Sequence, residues 1–469
     1  PSGAQERFQR IEKLVSGGVT EWSVQGGSEV WAPFRLGRSL PLPKSRLRKT
    51  LLPPAYLFRE GTPSTSMRLL LAFSSRGISE VRVSVDGRPV ETITVDGSDG
   101  TMREVVREVS LAQKVENRPY EVVLDVENRG FLPPRGEFWP PRSRPLKEEA
   151  ADLLLTRSEL LFPAFEKNLQ EVRSWVSSLK TAFGLLRPEM VRYTFTKKPY
   201  PLQDRRKTPK ERLEKLEDVW NAAVSAFDPE ALEKGDWRRV KGYLSLSYKI
   251  AQPLKSYANE YKVHLIGNAH IDIAWLWRMA ETELVAKNTF STVLDNMKEY
   301  PELYYAQSQA VTYRWMEAKY PDLFKRIGEA VKDGRWEIVG GTWVEPDCNL
   351  ISGESWARQL LYGKEYFREK FGVDVKIGWN PDSFGYNWNM PQLYKKAGID
   401  IFITQKIQWN DTTVFPHYLF WWEGPDGTRM LTYFPPSSYT DELKLQENVL
   451  SIGKYEAVTG SKESLILYG

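Results

Sequence analysis

The chain has 469 residues, with 65 Lys and Arg against 61 Asp and Glu, so its formal net charge is only +4. So even a balance builds no field that would draw in a nucleic acid, and no apolar run is long enough to span a bilayer, which excludes nucleic-acid and membrane partners. The single cysteine, Cys348, cannot build an internal disulfide and fits a reducing compartment. Because the N-terminus PSGAQERFQRIEKLV has no signal-peptide pattern, the expectation is a soluble, cytoplasmic protein, monomeric or a homo-oligomer, whose missing initiator Met leaves a processed start open.

Three textures follow one another. Residues 1–145 open with a short amphipathic helix, Glu6 to Val15, and a Pro-rich passage. Alternation then begins, with Val81, Val83 and Val85, the turn pair Asp86-Gly87, and Val90, Ile93 and Val95; Val122, Leu124 and Val126 mark another strand. Short alternating strands between turns predict an antiparallel β-domain, and the text FLPPRGEFWPPRSRP at 131–145 reads as a linker. Residues 146–255 read as helical. Leu169, Val172, Val176, Leu179 and Phe183 recur at helix spacing, as do Leu213, Leu216, Trp220, Ala223 and Phe227 before Asp228-Pro229.

Residues 256–469 alternate strand and helix. Strand-like runs lie at 262–267, 336–341, 375–379, 401–405 and 464–468, with helical patterns such as Trp356, Leu360, Phe367 and Phe371 between them. Such alternation implies a parallel sheet, open or closed into a barrel, with its chemistry just after the C-terminal ends of the strands. The chain has 17 tryptophans, eleven of them between Trp275 and Trp422. Indole faces pack on the C–H faces of sugars, yet a large aromatic core explains the same enrichment, so this count alone decides nothing.

The strand ends do carry polar groups. After the first run the text is GNAHIDIAWLW, and His270 and Asp272, two apart, project to one side of an extended strand. The pair suits a zinc ion or a simple hydrogen bond. After the 336–341 run, TWVEPDCN offers Glu345 and Asp347. After the 375–379 run, WNPDSFGYN presents Asp382, which could ligate the same metal, attack an electrophile or cap the next helix. The count of three histidines in all (His264, His270 and His417) argues against an all-histidine metal site.

The stretches AHIDIAWLW, VGGTWVEPDCNLISGESWARQLLYG, WNPDSFGYN, ITQKIQWN and FPHYLFWWEGPDGT closely resemble class II α-mannosidases, glycoside hydrolase family 38, especially the cytosolic, ER-type and prokaryotic branch. The resemblance implies a seven-stranded (β/α) barrel catalytic domain of the α/β class, preceded by an antiparallel β-domain and a helical region. It implies a zinc-dependent retaining hydrolase that removes terminal α-mannosyl residues from an oligosaccharide or glycan through a covalent mannosyl-aspartate, with cobalt as an alternative metal. His270 and Asp272 match zinc ligands, and Asp382 matches a residue that both ligates zinc and is the nucleophile. Trp275 and Phe384 match apolar walls of the sugar site, Asp347 and its neighbour Glu345 stand with the groups that hold substrate, and Lys406 matches a cation near the nucleophile. A further His ligand and the acid/base Asp of the family are not matched before Gly469. The resemblance therefore implies an N-terminal portion of a longer polypeptide and a barrel incomplete at its C-terminus, with an unpaired edge at the last strand. Two other readings of the same residues are a metal-dependent polysaccharide deacetylase, which needs more histidines, and a non-catalytic sugar-binding protein. A metallophosphoesterase, suggested by GNAHID, lacks its further His and Asp motifs.

Overall fold

In the computed structural model the described residues are 3–15, 21–25, 32–36, 40, 44–58, 64–75, 77–97, 103–128, 153–188, 204–275, 277–408, 415–441 and 443–469. They divide into two compact units, one of residues 1–178 and 219–252, the other of residues 179–218 and 253–469. The expected linker at 131–145 lies outside the described residues.

The first unit opens with α1 (Gly3–Val15), which buries Phe8, Ile11 and Val15. Strands β1 (Glu21–Gln25), β2 (Ala32–Arg35), β3 (Lys44–Leu51), β4 (Met67–Ser75), β5 (Gly77–Val85), β6 (Arg88–Gly97), β7 (Arg103–Ala112), β8 (Tyr120–Asn128) and β9 (Leu153–Leu161) come after it. They form a six-stranded sheet in the order β2-β1-β3-β8-β5-β6 and a three-stranded sheet β7-β4-β9, and every pair is antiparallel. The expected turn joins β5 to β6, with Asp86 at φ 50° and Gly87 at φ 77°, a twist that matches a two-residue hairpin. Strand β9 corrects the expectation of a purely helical stretch from residue 146. Its pairing with β4 shifts register between Ala72 and Phe73, so Leu153, Leu155 and Ser158 face inward without the strict alternation that marks a strand in sequence.

Helices α2 (Glu166–Leu186), α3 (Lys210–Ser225), α4 (Pro229–Glu233), α5 (Trp237–Ile250) and α6 (Gln252–Ala258) come next, divided between the two units. Within the first unit Trp175 is fully buried against Phe227. Its indole donates to Ser247 Oγ at 2.7 Å, and that hydroxyl donates to the Ala223 carbonyl at 2.7 Å, so the buried polar atoms are satisfied.

The second unit holds β10 (Lys262–Asn268), α7 (Met279–Glu299), β11 (Tyr305–Gln307), α8 (Ala310–Lys319), α9 (Pro321–Lys332), β12 (Trp336–Ile338), α10 (Gly353–Phe371), β13 (Ile377–Asn380), α11 (Met390–Lys396), β14 (Ile401–Thr404), β15 (Leu419–Glu423), β16 (Arg429–Tyr433), α12 (Leu445–Thr459) and β17 (Glu463–Tyr468). All five expected strand regions are strands, shortened by a few residues at 336–341 and 375–379. Strands β11, β15 and β16 were not marked by any sequence period, β11 being only three residues long. One sheet runs β12-β11-β10-β17, wholly parallel; the other runs β13-β14-β16-β15, parallel except for β15. No helix among the described residues is long and apolar enough to cross a membrane.

Two contacts link these sheets. The Gly340 amide, just past β12, donates to the Ile377 carbonyl of β13 at 2.8 Å. The Tyr433 hydroxyl donates to the Leu465 carbonyl and accepts from the Leu465 amide, both at 2.9 Å, so β17 is met on the side away from β10. As expected, β17 stands at the edge of its sheet: it pairs with β10 over six residues, and on its other flank the Tyr433 phenol meets the Leu465 backbone. Ile266, Ala306, Val339, Trp379, Ile403, Tyr433 and Leu467 come from or directly follow seven different parallel strands and pack as one apolar cluster.

The loop after β12 is shaped by Gly340 and Gly341, at φ 84° and 73°, where a side chain would be strained. Helix α10 comes against the same loop through Gly363, whose added Cβ would lie 2.5 Å from the Gly341 carbonyl oxygen. We expect Gly363→Ala to destabilise the fold by about 1–3 kcal/mol, as overpacking does. Gly353→Ala, on the same helix with open space around it, should be neutral or slightly stabilising. Urea unfolding of the two variants checks this, and equal midpoints would show that the close approach does not matter.

Candidate active site

The site is assembled from the segments just past β10, β11, β12, β13 and β14. Beyond β10, buried Ile271 enters the apolar cluster around Phe290 and Tyr313, while His270 meets Asp272 and Asp382. Beyond β13, Pro381 leads to Asp382. That residue does not cap a helix, since α11 starts eight residues later behind Asn389, and the capping alternative is removed.

His270, Asp272 and Asp382 converge, with one potential ligand atom from each lying within 4.8 Å of the others; among the described residues this is the one such group of His, Cys, Asp and Glu. His270 Nε2 is 3.3 Å from Asp272 Oδ1 and 3.3 Å from Asp382 Oδ2. Its other nitrogen, Nδ1, is 2.9 Å from Glu345 Oε2, so Nε2 is the atom left to face the two carboxylates. Burial opposes a charge on this imidazole, but Glu345 and then Asp272 outweigh it and hold the His270 pKa above its ordinary value. One imidazole nitrogen and two carboxylate oxygens are a donor set that fits zinc.

Glu345 is not where the sequence reading put it. Its side chain is 2% exposed, behind the imidazole, where Ser308 Oγ donates to its other oxygen. It therefore orients His270 and does not reach toward a substrate, in the way that carboxylates commonly back a metal-ligating histidine. Asp347 is exposed, and its Oδ1 accepts from the amides of Asn349 and Leu350 at 3.0 Å each, fixing its own turn. This turn is braced on the loop after β13: the Cys348 amide donates to the Phe384 carbonyl at 3.1 Å and Asn349 Nδ2 to the Gly385 carbonyl at 2.9 Å. Cys348 itself is fully buried, and burial pushes its thiol up to about 12, so it is no nucleophile at neutral pH.

Lys406, just past β14, pairs with Asp382 Oδ1 as the sequence reading expected of a cation there. Burial lowers its pKa despite the opposing field of Asp272. Its ammonium also lies 5.2 Å from the ring centre of Phe384 and 5.5 Å from that of Tyr439. Phe384 and Trp275 are 56% and 62% exposed, large apolar faces open to solvent. The two remaining histidines stand apart: His264 pairs with Glu463 at 2.8 Å, and His417 packs against Phe415 and Phe420.

Sequence reasoning missed Ser308, Gln309 and Tyr439. The first two come after a three-residue strand too short to show a period, and Tyr439, whose ring meets the His270 imidazole edge-on at 5.9 Å, comes after a strand that was itself unmarked.

Comparison with known proteins matches residues 260–469 to the glycosyl hydrolases family 38 N-terminal domain. The chain is 38% identical over 262 residues to alpha-mannosidase G of Dictyostelium discoideum, which covers 56% of this chain and 24% of that protein. It is 40% identical over 212 residues to alpha-mannosidase 2C1 of Homo sapiens, covering 45% and 20% respectively. A solved alpha-mannosidase from Enterococcus faecalis V583 aligns at 22% identity and a TM-score of 0.38, covering 45% of this chain and 25% of that one. The chain thus spans about a quarter of the length of the curated relatives it matches. Residues 260–469 are thus similar to the N-terminal domain of glycosyl hydrolases family 38, and this is the stretch that carries His270, Asp272 and Asp382.

Proposed function

We propose that this chain contributes the metal ligands and the nucleophile of a retaining, zinc-dependent α-mannosidase acting on terminal α-mannosyl residues of an oligosaccharide or glycan. The observation that carries the reading is His270 Nε2 held 3.3 Å from oxygens of both Asp272 and Asp382 within a family 38 domain. We further propose that the seven parallel strands of the second unit close as one (β/α) barrel around the apolar cluster they share. The contacts of Gly340 with Ile377 and of Tyr433 with Leu465 support this closure.

His270 Nε2, Asp272 and Asp382 would hold the metal. When bound, zinc supplies positive charge that orients sugar hydroxyls and favours ionised Asp382, and cobalt suits the same donors. The chain's own groups do the rest. Asp382 attacks the anomeric carbon, the bond to the leaving oxygen breaks, and that oxygen takes a proton from an acid group. Water then displaces the aspartate from the sugar, so two inversions give retention. Lys406, paired with Asp382 Oδ1, holds that oxygen and aims the carboxylate. Trp275 and Phe384 offer apolar faces to the C–H face of the ring, and exposed Asp347 is suited to bond its hydroxyls. Glu345 is occupied by His270 and Ser308, so it is not available to protonate the leaving group.

Two measurements on the full polypeptide test this. Asp382→Asn should lower kcat on an activated aryl α-mannoside by orders of magnitude while circular dichroism stays unchanged. A variant keeping more than about a tenth of wild-type kcat, a barrier change of only about 1.4 kcal/mol, would contradict the nucleophile assignment. His270→Ala should lose zinc and activity together; a folded His270→Ala protein with full zinc content would remove His270 from the ligand set.

A further inference from the structure

Gln309, two residues past β11, has a backbone conformation that side chains normally avoid. It stands at φ 64° and ψ 91° and is 1% exposed. Asp86, Tyr386 and Leu443 share the sign of φ, but none of them is fully buried. A buried residue in such a region persists where the contacts around it over-determine the geometry, and such residues cluster at functional sites.

Those contacts are made by the side-chain carboxamide. Gln309 Nε2 donates at 2.8 Å to the Ile271 carbonyl, the peptide that leads into Asp272 and lies one residue past His270. Gln309 Oε1 accepts from the Glu345 amide at 3.2 Å. Glu345 in turn holds His270 Nδ1 and receives the Ser308 hydroxyl. The orientation of the amide is fixed by chemistry, because a flipped group would set two acceptors and two donors face to face. One rigid planar group therefore spans the segment that carries two of the candidate ligands and the segment that orients one of them.

We propose that Gln309 is a positioning residue for the metal centre. Its carboxamide ties the His270-Ile271-Asp272 segment to Glu345 and so sets the angle at which the imidazole and the Asp272 carboxylate converge. The strained backbone at Gln309 is what brings the side chain back between the two loops. This rests on the reading of His270, Asp272 and Asp382 as metal ligands. A backbone-only role would leave Gln309→Gly without effect, since glycine adopts positive φ most easily.

The test compares wild type, Gln309→Gly and Gln309→Met in the full polypeptide. Zinc affinity is measured by competition with a chromophoric chelator, the visible spectrum is recorded with cobalt in place of zinc, and thermal unfolding is monitored without metal. Gln309→Gly keeps the turn and Gln309→Met keeps most of the side-chain volume, while both lose the two hydrogen bonds. The expected result is zinc binding weakened about 10- to 100-fold, the usual effect of removing a group that orients a ligand, with displaced cobalt bands in both variants. Wild-type affinity and an unchanged cobalt spectrum in folded Gln309→Gly would overturn the proposal and leave the metal reading intact. Should the glycine variant not fold, the same readings on Gln309→Met decide in its place. Absence of zinc binding by wild type itself would instead remove the metal reading, and the proposal with it.

Discussion

The contact between His270 Nδ1 and the buried Glu345 carboxylate is the constraint on which the site depends. An imidazole has two nitrogens, and the one that faces a carboxylate in the protein interior determines which is left to face outward. Burying Glu345 is costly unless its oxygens are bonded. Here one oxygen meets His270 and the other takes the Ser308 hydroxyl, while the Glu345 amide is taken by Gln309. Because these groups come from the loops after β10, β11 and β12, the imidazole cannot rotate without disturbing three loops at once. Its Nε2 is thereby presented to Asp272 and Asp382, and Lys406 steadies the far oxygen of Asp382.

A second polar cluster sits around the other end of β10, and it contrasts with the first. Glu456 is almost fully buried on α12, where Tyr261 donates to it at 2.5 Å and Tyr257 at 3.4 Å. Lys462 lies 4.0 Å from Glu456 and 2.5 Å from Glu260, with its ammonium 4.2 Å from the Tyr257 ring centre. Each charge here has its partner in place, which is the pattern of a structural network. At the C-terminal ends of the strands the carboxylates instead crowd one imidazole beside the exposed rings of Trp275 and Phe384. A candidate site at that end and paired charges at the other match the usual division of labour in parallel α/β folds.

Much of this was legible in the sequence, for physical reasons that differ from residue to residue. Alternation along a strand places His270 and Asp272 on one side however the rest folds, and Asp86-Gly87 selects a hairpin turn locally. Asp382 was harder, because a carboxylate after a proline serves as ligand, nucleophile or cap; only the position of α11 removes the last of these. Glu345 was misread because its role depends on burial, which its neighbours in sequence do not reveal: it and the exposed Asp347 are two residues apart and look alike. Gln309 left no signal at all. Its importance arises from a backbone dihedral and from two partners, Ile271 and Glu345, that are 38 and 36 residues away. The strand β9 was hidden for a related reason, since its bulged pairing with β4 breaks the period by which strands are recognised.

The central claim is that His270, Asp272 and Asp382 together bind one metal ion, with Glu345 behind the imidazole. It is tested most directly by anomalous diffraction at the zinc absorption edge from crystals of the zinc-loaded protein. The account requires an anomalous peak about 2.0–2.2 Å from His270 Nε2 and from an oxygen of each of the two aspartates, with Glu345 still on Nδ1. A zinc peak bound elsewhere, with His270 Nε2 turned away from both aspartates, would contradict it.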